Sequence, residues 1–223
     1  MVSIKTFEFN LLHTNCYIVS DEDNFAAIVD PCYFREDEKK ALNDYISAKG
    51  LKVDVILVTH GHFDHVYGVA DCAKTYPSAK VYYNSAEEKT NEESIRNCPL
   101  IGLDAPDYSF AYEDVRNMNG FDWHSRTIKI LHTPGHTEGG VCYFIENDHI
   151  LFSGDTLFKG TIGRTDMLTG NYDDIMESLM KVIMVLPSDT DVLPGHGPAT
   201  TIADEALTNP MLQPIDEFLE SEE

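Results

Sequence analysis

Apolar and polar residues alternate along the first part of the chain with the period of β-structure. Short runs at Ile4–Phe9, Cys16–Ser20 and Phe25–Val29 predict strands, the last closed by Asp30-Pro31. From Glu36 to Lys49 the spacing becomes helical, with Leu42, Tyr45 and Ile46 on one face and Gly50 as the stop. Val53–Thr59 is a mainly apolar run, the kind buried on both faces of a sheet. Asp64–Thr75 predicts a helix and Lys80–Tyr83 another strand.

Between Asn84 and Gly120 the pattern loosens into an acidic helix near Ala86–Asn97 and a loop containing proline and aspartate. With Tyr108, Phe110 and Tyr112, this segment suits either a lid over a cleft or an outer helix and loop. The second half returns to strands at Arg126–Leu131, Gly140–Ile145 and His149–Ser153. An amphipathic helix spans about Tyr172–Leu186, burying Ile175, Met176, Leu179, Val182, Ile183 and Leu186. A strand at Asp191–Leu193 runs into the sequence PGHGP, and the tail (about 203–223) predicts one or two short helices. Each half reads strands, helix, strands, which suggests two packed sheets with helices outside. Without repeats or linkers, residues 1–223 are expected to form one domain.

Composition narrows the function classes. The 223 residues are 43% apolar and 24% charged, as in a folded globular protein. Lys plus Arg number 16 against 38 Asp plus Glu, a formal charge of −22 that repels nucleic-acid phosphates and anionic lipid. No run approaches the ~20 apolar residues of a membrane span. The five cysteines are scattered without a C-x-x-C pair, and the first residues lack the features of a secretory signal. Reduced thiols in a cytoplasmic protein are expected, with neither nucleic-acid nor membrane partners.

Candidate chemistry concentrates in Thr59-His60-Gly61-His62-Phe63-Asp64-His65, at the exit of the buried strand. Imidazoles two residues apart in a loop can turn toward one ion, and Asp64 and His65 can serve a second beside it. His136, Asp155 and His196 follow at later strand exits, each with glycine adjacent. Together they read as seven ligands for two divalent ions. Thr59, Thr137 and Thr156 stand where they can orient imidazoles, although threonine at a strand end also has a plain β-propensity reading. His132 is expected to be structural, and His13, His124 and His149 have no companion motif.

The HxHxDH run, followed by single His, Asp and His at strand ends, resembles the metallo-β-lactamase fold superfamily. The likeness extends from Thr14-Asn15-Cys16-Tyr17 and Val29-Asp30-Pro31 to Pro194–Ile202. Within it, HTPGHTEGG, SGDTLFKGTIGRTD and PGHGPATT are similar to glyoxalase II-like hydrolases, the hydroxyacylglutathione hydrolase group. The resemblance implies an αββα sandwich, two mixed β-sheets flanked by helices in the α/β (α+β) class. It implies that His60, His62 and His136 hold one metal, Asp64, His65 and His196 a second, and that Asp155 bridges.

Zinc is the expected metal, with iron or manganese as the other options. A metal-bridging hydroxide would attack an acyl carbonyl, Asp64 and Asp155 orienting the water or taking its proton. The expected substrate is a small thioester such as S-lactoylglutathione, with Arg164 and Lys159 as the basic groups that would meet an anionic carrier. Arg164 suits equally a loop brace on Asp166. Two departures stand out. Cys32 occupies a position where the superfamily usually has glycine, and the longer C-terminal helical domain of full glyoxalase II enzymes is missing or reduced. The alternative within the fold is an oxidoreductase resembling persulfide dioxygenase, with one iron on His60, His136 and Asp155.

Overall fold

The computed structural model describes residues 1–213. Ser3–Phe9 (β1), Thr14–Ser20 (β2) and Phe25–Val29 (β3) pair antiparallel, as their alternation and tight turns require. Glu36–Lys49 (α1) then returns the chain so that Lys52–Leu57 (β4) lies parallel to β3. Phe63–Val66 (α2) and Val69–Thr75 (α3) lead to Lys80–Tyr83 (β5), and Glu88–Asn97 (α4) precedes the two-residue strand Glu113–Asp114 (β6). These six strands form one mixed sheet in chain order.

The second sheet is built from Gly120–Trp123 (β7), Arg126–His132 (β8), Val141–Ile145 (β9), Ile150–Gly154 (β10), Asp191–Pro194 (β13) and Thr200–Thr201 (β14). A separate hairpin joins Leu157–Phe158 (β11) to Thr161–Ile162 (β12). Tyr172–Ser178 (α5) runs into a π-helical turn over Leu179–Ile183, and Ile202–Thr208 (α6) follows β14.

Strand alternation sorts neighbouring residues into different layers. Tyr17 and Val19 meet Tyr143 and Phe152 between the sheets. Cys16 and Ile18 face the other way, onto Leu42 and Ile46 of α1 and Cys72 of α3. Beyond the second sheet, Phe144, Leu151 and Val192 pack on Ile175, Leu179 and Ile183. The expected four layers, two mixed sheets between helices, are therefore present.

Three local expectations change. The helix expected over Asp64–Thr75 is broken at Gly68, where a Cβ would lie 2.4 Å from the Pro31 carbonyl oxygen. The helix expected to reach Leu186 ends in the π turn, which leaves Ile175, Leu179 and Ile183 fully buried and Met176, Val182 and Leu186 only partly. Strands β6, β7, β11, β12 and β14 were not anticipated. Of the tail, α6 and a 3-10 turn at Pro210–Leu212 are described; the remainder of the 203–223 expectation, from 214 onward, lies outside the described residues. Among the described residues no helix is long and apolar enough to cross a membrane.

Candidate metal centre

Parallel pairing of β3 with β4 and of β10 with β13 brings several strand exits to one edge of the sandwich. Backbone hydrogen bonds tie those exits together: Val141 N donates to Thr59 O (2.9 Å), Gly195 N to Gly154 O (2.8 Å) and Asn15 N to Gly195 O (2.7 Å). His60, Asp155 and His196 leave the sheets there, and the His132–Gly140 loop adds His136. Gly195 is required by crowding, since a Cβ would sit 2.2 Å from Asp155 Oδ1 and 2.6 Å from His65 Cε1.

All seven residues singled out in the sequence converge. His60, His62 and His136 each present a nitrogen within 4.8 Å of the others; His60, His65 and Asp155 form a second such set, and Asp64, His65 and His196 a third. Asp155 stands between the outer two sets. Its Oδ1 is 3.3 Å from His65 Nε2, and its Oδ2 is 3.5 Å from both His136 Nε2 and His196 Nε2. His62 Nδ1 faces His136 Nε2 at 2.9 Å.

Hydrogen bonds around the cluster select which ring nitrogen points inward. Thr59 Oγ1 donates to Asp30 Oδ2 (2.7 Å), so toward His60 Nδ1, 3.1 Å away, it can only accept. The Arg164 carbonyl takes the proton of His136 Nδ1 (2.8 Å), and the Leu12 carbonyl that of His196 Nδ1 (3.1 Å). His65 Nδ1 donates to Asp30 Oδ2 (2.9 Å). Four rings thus turn Nε2 to the centre, while His62 turns Nδ1. Thr14 Oγ1 holds Asp64 Oδ2 at 2.9 Å.

The electrostatics divide the cluster into two neutral rings on one side and two histidines held charged by carboxylates on the other. Burial, with neighbouring imidazoles, holds His60 well below the usual histidine range, and burial brings His62 down to about 4. Burial also opposes protonation of His65 and His196, but Asp155 and Asp64 outweigh it, lifting His65 and taking His196 to about 9. Conversely, burial would raise Asp155, yet His65 and His196 hold it well below the carboxylate range. His60 Nε2 and Asp155 Oδ1, which face the centre, are buried without a hydrogen-bond partner. Imidazole and carboxylate donors with such orphaned atoms fit divalent cations.

Sequence reasoning missed two supports. Asp30 accepts from Thr59 N, Thr59 Oγ1 and His65 Nδ1. Buried Glu87 accepts from Gly61 N (2.9 Å) and Thr137 Oγ1 (2.6 Å), joining the first histidine loop to the loop of His136. Thr137 therefore acts through Glu87, and Thr156 bonds Thr133 Oγ1 rather than a ring. His132 Nε2 donates to the Met118 carbonyl, in keeping with a structural part.

A cleft of about 230 Å³ opens over the cluster, with Leu12, Phe63 and Met167 as apolar lining and Glu93, Ser94 and Asn97 from α4 on one wall. The 84–120 segment serves as that wall and as packing: Tyr108 Oη donates to Gly61 O, and Phe110 is buried against the outer face of the first sheet. Arg164 lines the cleft while its guanidinium grips Asp166 at 2.7 and 2.9 Å. Lys159 is exposed at the tip of the β11–β12 hairpin and is not among the lining residues.

Comparison with known proteins yields a consistent picture. The family model described as the metallo-beta-lactamase superfamily matches residues 10–196. Hydroxyacylglutathione hydrolase GloC of Haemophilus influenzae is 33% identical over 218 residues, covering 95% of this chain and 98% of that protein. Among solved structures, BLEG-1 B3 metallo-beta-lactamase superposes with a TM-score of 0.87 at 33% identity, covering 95% of this chain and all (100%) of that one. TTHA1623 in a di-iron-bound form gives a TM-score of 0.81 at 32% identity, covering 93% and 100%.

Proposed function

The chain belongs to the metallo-beta-lactamase superfamily, and from that premise we propose that it is a dinuclear metal-dependent thioester hydrolase acting on S-lactoylglutathione or a related acyl thiol. The observation that carries this reading is the convergence of seven imidazole and carboxylate side chains from four strand exits beneath a cleft. His60, His62 and His136 would hold one ion, and Asp64, His65 and His196 the other, with Asp155 between them. When bound, two such ions, zinc by preference, polarise an acyl carbonyl and acidify water.

The chain's own groups supply the rest. Asp64 and Asp155 are the carboxylates of the cluster, and neighbouring histidines hold both below the usual carboxylate range, so they stay ionised and would orient a water by accepting its hydrogen bond. Arg164 has a counter-ion in Asp166 that a substrate carboxylate can replace, which anchors an anionic carrier at the cleft mouth. A thiolate departs without needing a proton, which matches a cleft without a lysine among its lining residues. Five buried, unpaired cysteines suit a reducing compartment, and we place the protein in the cytoplasm.

The test is metal quantification on purified protein, joined to a panel of thioesters, a β-lactam and glutathione persulfide. Two divalent ions per chain and chelator-sensitive thioester cleavage are expected. One iron per chain with oxygen consumed alongside the persulfide would replace this reading with the dioxygenase one. Turnover confined to the β-lactam would also overturn it.

A further inference from the structure

Glu87 ends the 3-10 turn Ser85–Glu87 that opens α4, and it is fully buried with no cationic side chain in ion-pair contact among the described residues. A buried carboxylate without a cation costs stability unless several donors meet it. The donors here come from the two loops that carry His60, His62 and His136. Gly61 N, between His60 and His62, donates to Oε2 at 2.9 Å, and Thr137 Oγ1, next to His136, donates at 2.6 Å. Both loops close tightly on the carboxylate. A Cβ at Gly61 would lie 2.7 Å from Glu87 Oε2, and one at Gly139 would lie 2.8 Å from Glu87 Oε1. Two more side chains of the 84–120 segment hold the facing carbonyls: Asn84 Nδ2 donates to Gly139 O and Tyr108 Oη to Gly61 O, each at 2.7 Å. The residues of the other ion are braced elsewhere. Thr14 holds Asp64, Asp30 holds His65, and the Leu12 carbonyl holds His196. The hydrogen bonds of Glu87 reach none of these three.

We propose that Glu87 is a positioning residue for one ion alone, the ion of His60, His62 and His136. Its carboxylate sets the separation of the two histidine loops, so that three imidazole nitrogens stand close enough to share a cation. It also places a buried negative charge behind that all-imidazole set. Removing the carboxylate therefore turns a two-ion centre into a one-ion centre, with the ion on Asp64, His65 and His196 retained. This inference rests on the two-ion reading of the cluster and is independent of which thioester is cleaved.

The experiment titrates zinc into ion-free protein against a competing chelator, using wild type, Glu87→Ala and Glu87→Gln, with His62→Ala as the reference for a lost first site. Wild type should bind two ions. Glu87→Ala should weaken one by about 10–100-fold, the effect of removing a group that orients ligands from behind, and leave the other unchanged. With cobalt(II) in place of zinc, the ion retained by Glu87→Ala should match in visible absorption the ion retained by His62→Ala. Glu87→Gln can accept from Gly61 N while donating to Thr137 Oγ1, so it should recover part of the loss. Urea denaturation of ion-free protein separates positioning from plain packing. Burial lifts the Glu87 carboxyl above the usual glutamate range, so neutral Glu87→Gln should unfold at no lower urea concentration than wild type while still binding the first ion more weakly. Equal weakening of both ions in Glu87→Ala, or no weakening, would overturn the proposal and leave the two-ion reading intact. Should Glu87→Ala fail to fold, Thr137→Val withdraws one donor from the carboxylate and decides by the same rule: selective weakening supports the proposal, and equal or absent weakening overturns it. One ion on wild type would overturn this inference and the two-ion reading together. Two ions without thioester cleavage would remove only the substrate.

Discussion

Asp30 holds a backbone φ of 47°, a left-handed pose that aspartate tolerates better than most side chains. In that pose it collects three hydrogen bonds, orienting His65 directly and His60 through Thr59. Asp30→Ala is therefore expected to weaken metal affinity by about 10–100-fold with little change in fold, measured by competition against a chelator. Unchanged affinity would reduce Asp30 to a turn residue. His62→Ala and Asp155→Ala should each abolish turnover while far-ultraviolet circular dichroism stays native; normal rates in either would remove that residue from the site. His196 adds a pH signature. Its folded pKa of about 9 lies above the ordinary 6.5, so in ion-free protein its contribution to stability is complete below pH 6.5 and lost as pH rises through about 9. An incoming ion displaces that proton, so metal titrations at pH 8 in buffers of different ionisation enthalpy should reveal proton release and tighter binding as pH rises. Zero release would contradict the proton assignment. The HxHxDH run was legible because its residues are neighbours in sequence. Asp30 and Glu87 were not, because their partners lie 29 and 26 positions away and no local pattern links them.

Elements brace the metal cluster from behind. Asn171 caps α5 by accepting from Asp173 N and Asp174 N, and its own N–H donates to Gly135 O, beside His136. Ser178 Oγ, one helix length on, donates to Pro134 O. Helix α5 thus holds the His136 loop at two points. At the opposite end of the sandwich, buried Arg126 opens β8 and binds Asp148 (2.7 Å) and Glu22 (3.0 Å), linking three turns. Arg126→Ala leaves Asp148, whose side chain is only 6% exposed, without its cation. A loss of about 3 kcal/mol is expected in chemical denaturation, with metal affinity unchanged because the two ends are separate. A fall in affinity of comparable size would indicate coupling along β8. Long alternating strands and α1 were readable from periodicity. Two-residue strands such as β6 and β14 carry too few positions to display a period, and β7 begins at glycine. The π turn after Ser178 is likewise invisible to a helical wheel, which continues a 3.6-residue repeat regardless.

Across the whole molecule, the four-layer architecture followed from strand and helix order, whereas the meeting of particular loops required the sheets to be docked. The charge of −22 also acts at this scale. It opposes the approach of an anionic thioester, so kcat/KM for such a substrate should rise as salt screens the repulsion, while a neutral thioester stays flat. A falling rate would mean that Arg164 dominates the local field. Finally, the strands of the first sheet end at Asp114 and those of the second begin at Gly120. His60, His62, Asp64 and His65 belong to one half of the chain; His136, Asp155 and His196 belong to the other. A polypeptide cut between the halves would give two fragments, each with an incomplete set of donors, and chelation by the mixture would then report reassembly directly. Metal supply would act as a fastener that rewards correct docking, with a grip that neither fragment can muster by itself.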